Sequence, residues 1–154
     1  DGRGVETILG LGKGRPGGLP VYRKKSKLYF TDPSDCIPDC GVVRRIDLGG
    51  GTQEPLVHGS LPTSLTLDAK LGLMWWVSDW DDVIYRSPLD GGAKNPVITN
   101  TETQGIAVDG QGGKLYWTDA GAIHWAKLDG SSPGFGPKLG CAMCTTPPTA
   151  ATCL

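Results

Sequence analysis

Apolar residues recur at every second position along this chain, in short bursts. Ile106 and Val108 alternate, as do Leu115 and Trp117, and then Ile123 and Trp125. A period of two sets such residues on one face of a pleated strand, whereas a helix needs spacings of three and four. The bursts are separated by Gly110-Gln-Gly-Gly113, Asp119-Ala-Gly121 and Asp129-Gly130. In such turns glycine supplies positive φ and aspartate bonds its own backbone. A fourth strand is predicted at Pro96-Val-Ile98, and its proline suits an outer edge where no N–H has to be donated. These segments predict units of four short antiparallel strands.

The unit repeats. Gly105-Ile-Ala-Val-Asp109, Lys114-Leu-Tyr-Trp-Thr-Asp119 and Ala122-Ile-His-Trp-Ala-Lys-Leu-Asp-Gly130 form its clearest copy. Ser64-Leu-Thr-Leu-Asp68, Leu73-Met-Trp-Trp-Val-Ser-Asp79 and Val83-Ile-Tyr-Arg-Ser-Pro-Leu-Asp-Gly91 form a second. A third, more divergent, runs through Gly18-Leu-Pro-Val-Tyr22, Lys27-Leu-Tyr-Phe-Thr-Asp32 and Val42-Val-Arg-Arg-Ile-Asp-Leu-Gly49. Asp1-Gly2 and Val5-Glu-Thr-Ile-Leu9 echo Asp90-Gly91 and Asn95-Pro-Val-Ile-Thr99, so the given chain opens within a repeat. Repeats of ~40 residues with four strands each point to propeller blades.

The strings LYFTD, WWVSD and LYWTD, each after a G-I-A-V-D-like strand and before a strand ending near L-D-G, resemble the YWTD repeats of the low-density-lipoprotein-receptor family (class B repeats). The likeness covers roughly Gly18 to Ser131. It implies a six-bladed β-propeller, usually extracellular, that binds protein ligands. Three departures stand out: Tyr22 replaces the aspartate of Asp68 and Asp109, Ile46-Asp-Leu-Gly49 alters L-D-G, and the second copy is one residue out of step around Val77. The expected fold is all-β: a β-propeller of four-stranded antiparallel blades, about half to two-thirds of a six-bladed ring, with an irregular C-terminal tail. The expected divisions are a partial blade 1–17, blades at about 18–60, 61–100 and 101–131, and a tail 132–154.

The motif residues read as scaffold. Tyr29, Phe30, Trp75, Trp76, Tyr116 and Trp117 should fill the wedges between blades, since aromatics bury large apolar areas. Asp32, Asp79 and Asp119, preceded by Thr31, Ser78 and Thr118, should accept hydrogen bonds from turns or neighbouring blades. Three copies do not close a ring, and an open arc would leave apolar end faces. We therefore expect either a segment of a longer polypeptide or two chains closing a ring as a homodimer. The mid-repeat start and the odd cysteine favour the first.

Composition narrows the function classes. The chain has 154 residues, 24 of them glycine and 12 proline, which disfavours long helices. Fifteen basic residues offset sixteen acidic ones, so no overall field favours nucleic acid. The longest apolar run, Leu71 to Val77, is too short to span a bilayer. Five cysteines point to an oxidising, extracellular or secretory setting. Cys36 and Cys40 bracket an insertion that a local disulfide would pin. A zinc site joining them to Cys141 and Cys144 would need pairs ~100 residues apart, and disulfides are the favoured reading. Asn95 and Asn100 lack the N-glycosylation context; the Thr/Pro-rich stretch Thr145–Thr152 suits an O-glycosylated linker, unless Cys141 opens a small disulfide module.

Gly12-x-Gly14-x-x-Gly17 matches a dinucleotide fingerprint in letters only, because a strand rather than a helix follows it. It is read as a loop between blades. His58, in a loop, and His124, on a strand, are isolated. Two features could bind a partner: a basic patch of Arg23, Lys24, Lys25, Lys27, Arg44 and Arg45, and the acidic-aromatic loop Trp80, Asp81, Asp82. No catalytic, cofactor or metal residue is assigned. The leading expectation is a non-catalytic extracellular module that binds proteins or the remaining blades. The alternatives are a structural building block of an extracellular filament or wall, and a metal-dependent propeller hydrolase or lactonase. Only Asp68 and Asp109 are placed to serve the last.

Overall fold

The computed structural model describes residues 4–11, 16–36 and 40–135, without the side chains of residues 34–36 and 135. Among the described residues, twelve strands form three four-stranded antiparallel sheets, each a meander. The first holds β1 (Val21–Tyr22), β2 (Lys27–Cys36), β3 (Cys40–Asp47) and β4 (Glu54–His58). The second holds β5 (Pro62–Asp68), β6 (Leu73–Ser78), β7 (Val83–Pro88) and β8 (Asn95–Ile98). The third holds β9 (Gly105–Asp109), β10 (Lys114–Thr118), β11 (Ile123–Lys127) and β12 (Gly134–Phe135). We call these blades A, B and C. Arg23–Lys25 forms a single 3-10 turn. Blade C takes its fourth strand from beyond residue 131, in what reads as tail from sequence. Pro96 does lie on an outermost strand, as its missing N–H requires.

Period-two patterning divides each strand between two faces. Met74 and Trp76 of β6 join Tyr29, Val43, Val57, Leu65 and Leu89 in the core between blades A and B. Trp75, their neighbour in sequence, points the other way and joins Ile84, Leu115, Trp117 and Ala126 between blades B and C. Adjacent tryptophans thus serve opposite interfaces, and both are fully buried. The far face of blade C has no further blade against it among the described residues: Ile123 is 59% exposed.

Pairing register identifies equivalent positions better than motif letters do. Asp32 faces Val42 across the β2–β3 hairpin, and Ser78 faces Val83 across β6–β7. In blade C the Asp119 N–H donates to the Ala122 carbonyl at the same place. Ser78, rather than Asp79, therefore stands in line with Asp32 and Asp119. The misfit is absorbed in the turn after β6: four residues, Asp79 to Asp82, lie between Ser78 and Val83, against two between Asp119 and Ala122, and Asp82 takes φ 54.

The glycine that ends each L-D-G segment clasps the blade before it. Gly91, at φ +88, would place a Cβ 2.7 Å from the Leu56 carbonyl oxygen of β4. Gly130, at φ +86, would place one 2.0 Å from the Val97 oxygen of β8. Gly50 takes the same conformation against Ile8 (φ +84, 3.4 Å). At Gly91 and Gly130 only glycine allows both the left-handed backbone and that approach.

Candidate interaction surface

The Thr/Ser–Asp pair at the end of each second strand is spent on the scaffold. Thr31 Oγ1 donates to the Thr63 carbonyl of blade B (2.9 Å) and accepts the Gly17 N–H (3.1 Å). Thr118 Oγ1 accepts the Gly105 N–H (3.1 Å). Asp119 accepts the N–H groups of Gly121 and Ala122 (2.9 and 2.8 Å) and lies 2.6 Å from His124 Nε2. Asp32 pairs with Arg44 at 3.6 Å. In blade B, where serine holds the motif place, Asp81 takes over: Ser78 Oγ donates to its Oδ1, and the Tyr85 hydroxyl donates to its Oδ2 at 2.5 Å. Arg44, Tyr85 and His124 occupy one register position, facing Phe30, Trp76 and Trp117. Each blade thus links an acid, at the end of its second strand or in the turn that follows, to a polar ring or guanidinium on its third. His124 is accordingly not isolated, and His58 closes β4 rather than lying in a loop.

The Asp119 carboxyl is held below the usual carboxylate range, first by the Gly121 N–H and then by His124. A lowered folded-state value stabilises the fold above the ordinary carboxylate range, and the contribution is lost as pH falls through it. Asp119→Asn should therefore flatten the decline of Tm as pH falls below the ordinary carboxylate range (~4) relative to the parent chain, by circular-dichroism melts.

The predicted basic patch is divided by strand alternation. Arg45 faces blade B, and its Nε and Nη2 both donate to Glu54 Oε2 (3.0 and 2.9 Å). Its Nη1 donates to Asp90 (2.6 Å) and the Leu89 carbonyl (3.4 Å) of the next blade. Lys27 lies 3.1 Å from both Asp47 and Glu54. Of this patch, only the turn Arg23–Lys25 is exposed, with Lys25 4.0 Å from Asp90. Arg86, which sequence reading passed over, repeats the Arg45 device by donating to the Leu128 carbonyl at 3.3 Å. Its signal was its matching count back from the L-D-G glycine. Asp90 and Glu54 stay largely solvated, so Arg45→Met should cost only about 1 kcal/mol in urea unfolding. Arg45→Lys should not restore it, because the bidentate fork is lost.

Trp80, Asp81 and Asp82 lie at the opposite end of the blades from Arg23, Lys24 and Lys25, so the structure does not bring the two features together. Trp80 is 74% exposed. Beside it, Asp79 and Asp82 line a cavity of about 290 Å³ with Glu102 and Thr103 of the next link. At the corresponding turn of blade A, Cys36 and Cys40 face each other across β2 and β3, a placement compatible with a disulfide. Gly17 lies against blade B, where a Cβ would meet the Thr63 oxygen at 1.9 Å. The rest of that fingerprint, and Cys141, Cys144, Cys153 and the Thr/Pro tail, lie outside the described residues.

Asp68 and Asp109, the candidate ligands of a metal-dependent enzyme, cap turns. Asp68 Oδ1 accepts the N–H groups of Lys70 and Leu71 (2.7 and 2.9 Å), and Asp109 Oδ1 accepts that of Gly112 (2.8 Å). Among the described residues no group of three or more histidine, cysteine or acidic side chains is placed to hold a metal ion. No described helix is long and apolar enough to cross a membrane.

No protein-family model matches the chain. Among solved structures, the YWTD-type β-propeller in the crystal structure of a nidogen/laminin complex aligns with a TM-score of 0.74 at 24% identity. The alignment covers 84% of this chain and 51% of that one. A gluconolactonase from Xanthomonas campestris aligns with a TM-score of 0.61 at 19% identity, over 75% and 44% of the two chains. A putative TolB from Agrobacterium tumefaciens gives 0.64 at 13%, over 79% and 48%. The fold is therefore that of a β-propeller arc, and the chain spans about half the length of the structures it matches.

Proposed function

We propose that this chain is part of a non-catalytic extracellular propeller that binds or assembles with protein partners through the loops at one end of its blades. The observation that carries the proposal is the division of labour among its side chains. Repeat residues bond turns and neighbouring blades, while Trp80 stands exposed on a rigid hairpin among Asp79, Asp81 and Asp82. Aromatic residues on rigid loops anchor many interfaces. The nidogen neighbour comes from a complex with laminin, which supports a protein partner. A Cys36–Cys40 disulfide, which suits a secreted protein, belongs to this reading.

The test is binding of the chain to immobilised laminin and other secreted matrix proteins, with Trp80→Ala as the probe variant. A loss of about tenfold or more at an unchanged Tm supports the proposal. The gluconolactonase neighbour supplies the alternative. Lactone turnover that needs a divalent ion and disappears in Asp68→Asn would replace the binding reading with a hydrolase. The exposed far face of blade C also suits a building block that joins other chains, which sedimentation would reveal as assembly removed by Ile123→Lys.

A further inference from the structure

The two grooves between blades are built alike but filled differently. In the groove between A and B, Tyr85 stacks on its cross-strand partner Trp76, with centroids 5.8 Å apart. In the groove between B and C, His124 stacks on Trp117 in the same register at 5.4 Å. An acid holds each outer ring: Asp81 the Tyr85 hydroxyl, Asp119 the His124 Nε2. The walls correspond too. Val57 pairs with Val43 as Ile98 pairs with Ile84, so Ser60 and Thr101, three residues further on, occupy matching places.

The occupant differs. Three residues past its clasp glycine, blade B carries Lys94, whose ammonium lies 4.9 Å from the Tyr85 ring centroid and donates to the Ser60 hydroxyl. Three residues past Gly130, blade C carries Pro133. There a cavity of about 900 Å³ opens over His124, walled by Ile98, Thr101, Glu102, Asp119 and Pro133.

We propose that the groove between B and C binds a primary ammonium, namely a lysine side chain presented by a protein partner, in the place that Lys94 fills one blade earlier. The apolar wall formed by Ile98 and Pro133 suits the methylene stem. The ring stack offers a π-face, the Thr101 hydroxyl an acceptor, and Glu102 with Asp119 the negative charge. Blade B shows within the same molecule what this architecture accepts. The inference rests on the protein-binding reading only in taking the ammonium from a protein; the groove itself is tested without one.

The experiment follows the His124 imidazole and Trp117 indole resonances of the 154-residue chain by NMR at about pH 8, above the ordinary histidine range. The probes are n-butylammonium chloride, n-butanol and matched sodium chloride. Saturable shifts with butylammonium alone are expected. Glu102→Gln should weaken them about fivefold. Pro133→Lys, which places a lysine where Lys94 stands in blade B, should weaken them at least about tenfold by filling the groove from within. Equal shifts with butanol, no saturation, or undiminished binding in Pro133→Lys would overturn the site. Acetyl-Gly-Lys-Gly-amide should bind and its Nε-acetylated form should not. Butylammonium binding without peptide binding would refute the partner's lysine while leaving the Trp80 test of protein binding standing.

Discussion

Gly130→Ala should lower stability by about 2–5 kcal/mol and prevent blade C from closing on blade B. Two costs combine. A left-handed backbone with a Cβ costs roughly 1–2 kcal/mol, and a new methyl carbon 2.0 Å from the Val97 oxygen adds overpacking of about 1–3 kcal/mol. Gly113→Ala is the matched control: its φ is +68, but nothing lies within 4 Å of the added atom. It should lose only the backbone part. Thermal melts of both variants would check the assignment, since equal losses would mean that the clasp contributes nothing beyond backbone geometry.

Trp75→Ala should cost about 3–5 kcal/mol, the usual range for deleting a fully buried large aromatic. Its ring fills the core between blades B and C, and its Nε1 donates to the Leu128 carbonyl at 3.4 Å. Trp125→Ala should cost far less, about 1 kcal/mol. Trp125 lies on the opposite face of blade C, half-buried over Gly134, with Lys114 Nζ 4.4 Å from its ring centroid. Trp75→Phe should recover most of the packing but not the hydrogen bond. Urea unfolding of the three variants would measure the difference between an internal wedge and an uncovered one. If Trp125→Ala were as costly as Trp75→Ala, the open end would be covered in solution.

The strands, their order and the place of Tyr29, Trp75, Trp76 and Trp117 between blades were legible because a half-buried sheet imposes alternation directly on the sequence; Tyr116 lies outside both of those cores. Asp79 misled for a physical reason. An aspartate at the end of a strand and one at the start of the next turn look the same in a string of letters, and only pairing register separates them. A cue did exist: ten residues separate Tyr22 from Asp32, Asp68 from Ser78, and Asp109 from Asp119. The Asp119–His124 and Asp81–Tyr85 links were hidden because cross-strand neighbours depend on turn length, which differs between these two hairpins. The basic patch read as continuous because Arg44 and Arg45 adjoin in sequence; a pleat sends neighbours to opposite faces. Groove occupancy could not be read from either blade alone, since it depends on how far a side chain reaches after the clasp.

Blades A and B each carry both halves of the glycine clasp, the seat on their own outermost strand and the insert that enters the preceding unit. Contacts of this kind are nearest-neighbour and head-to-tail. A gene could therefore gain or lose whole units in frame without rewriting the clasp, which leaves ring closure, rather than that join between units, to decide how many a working protein keeps.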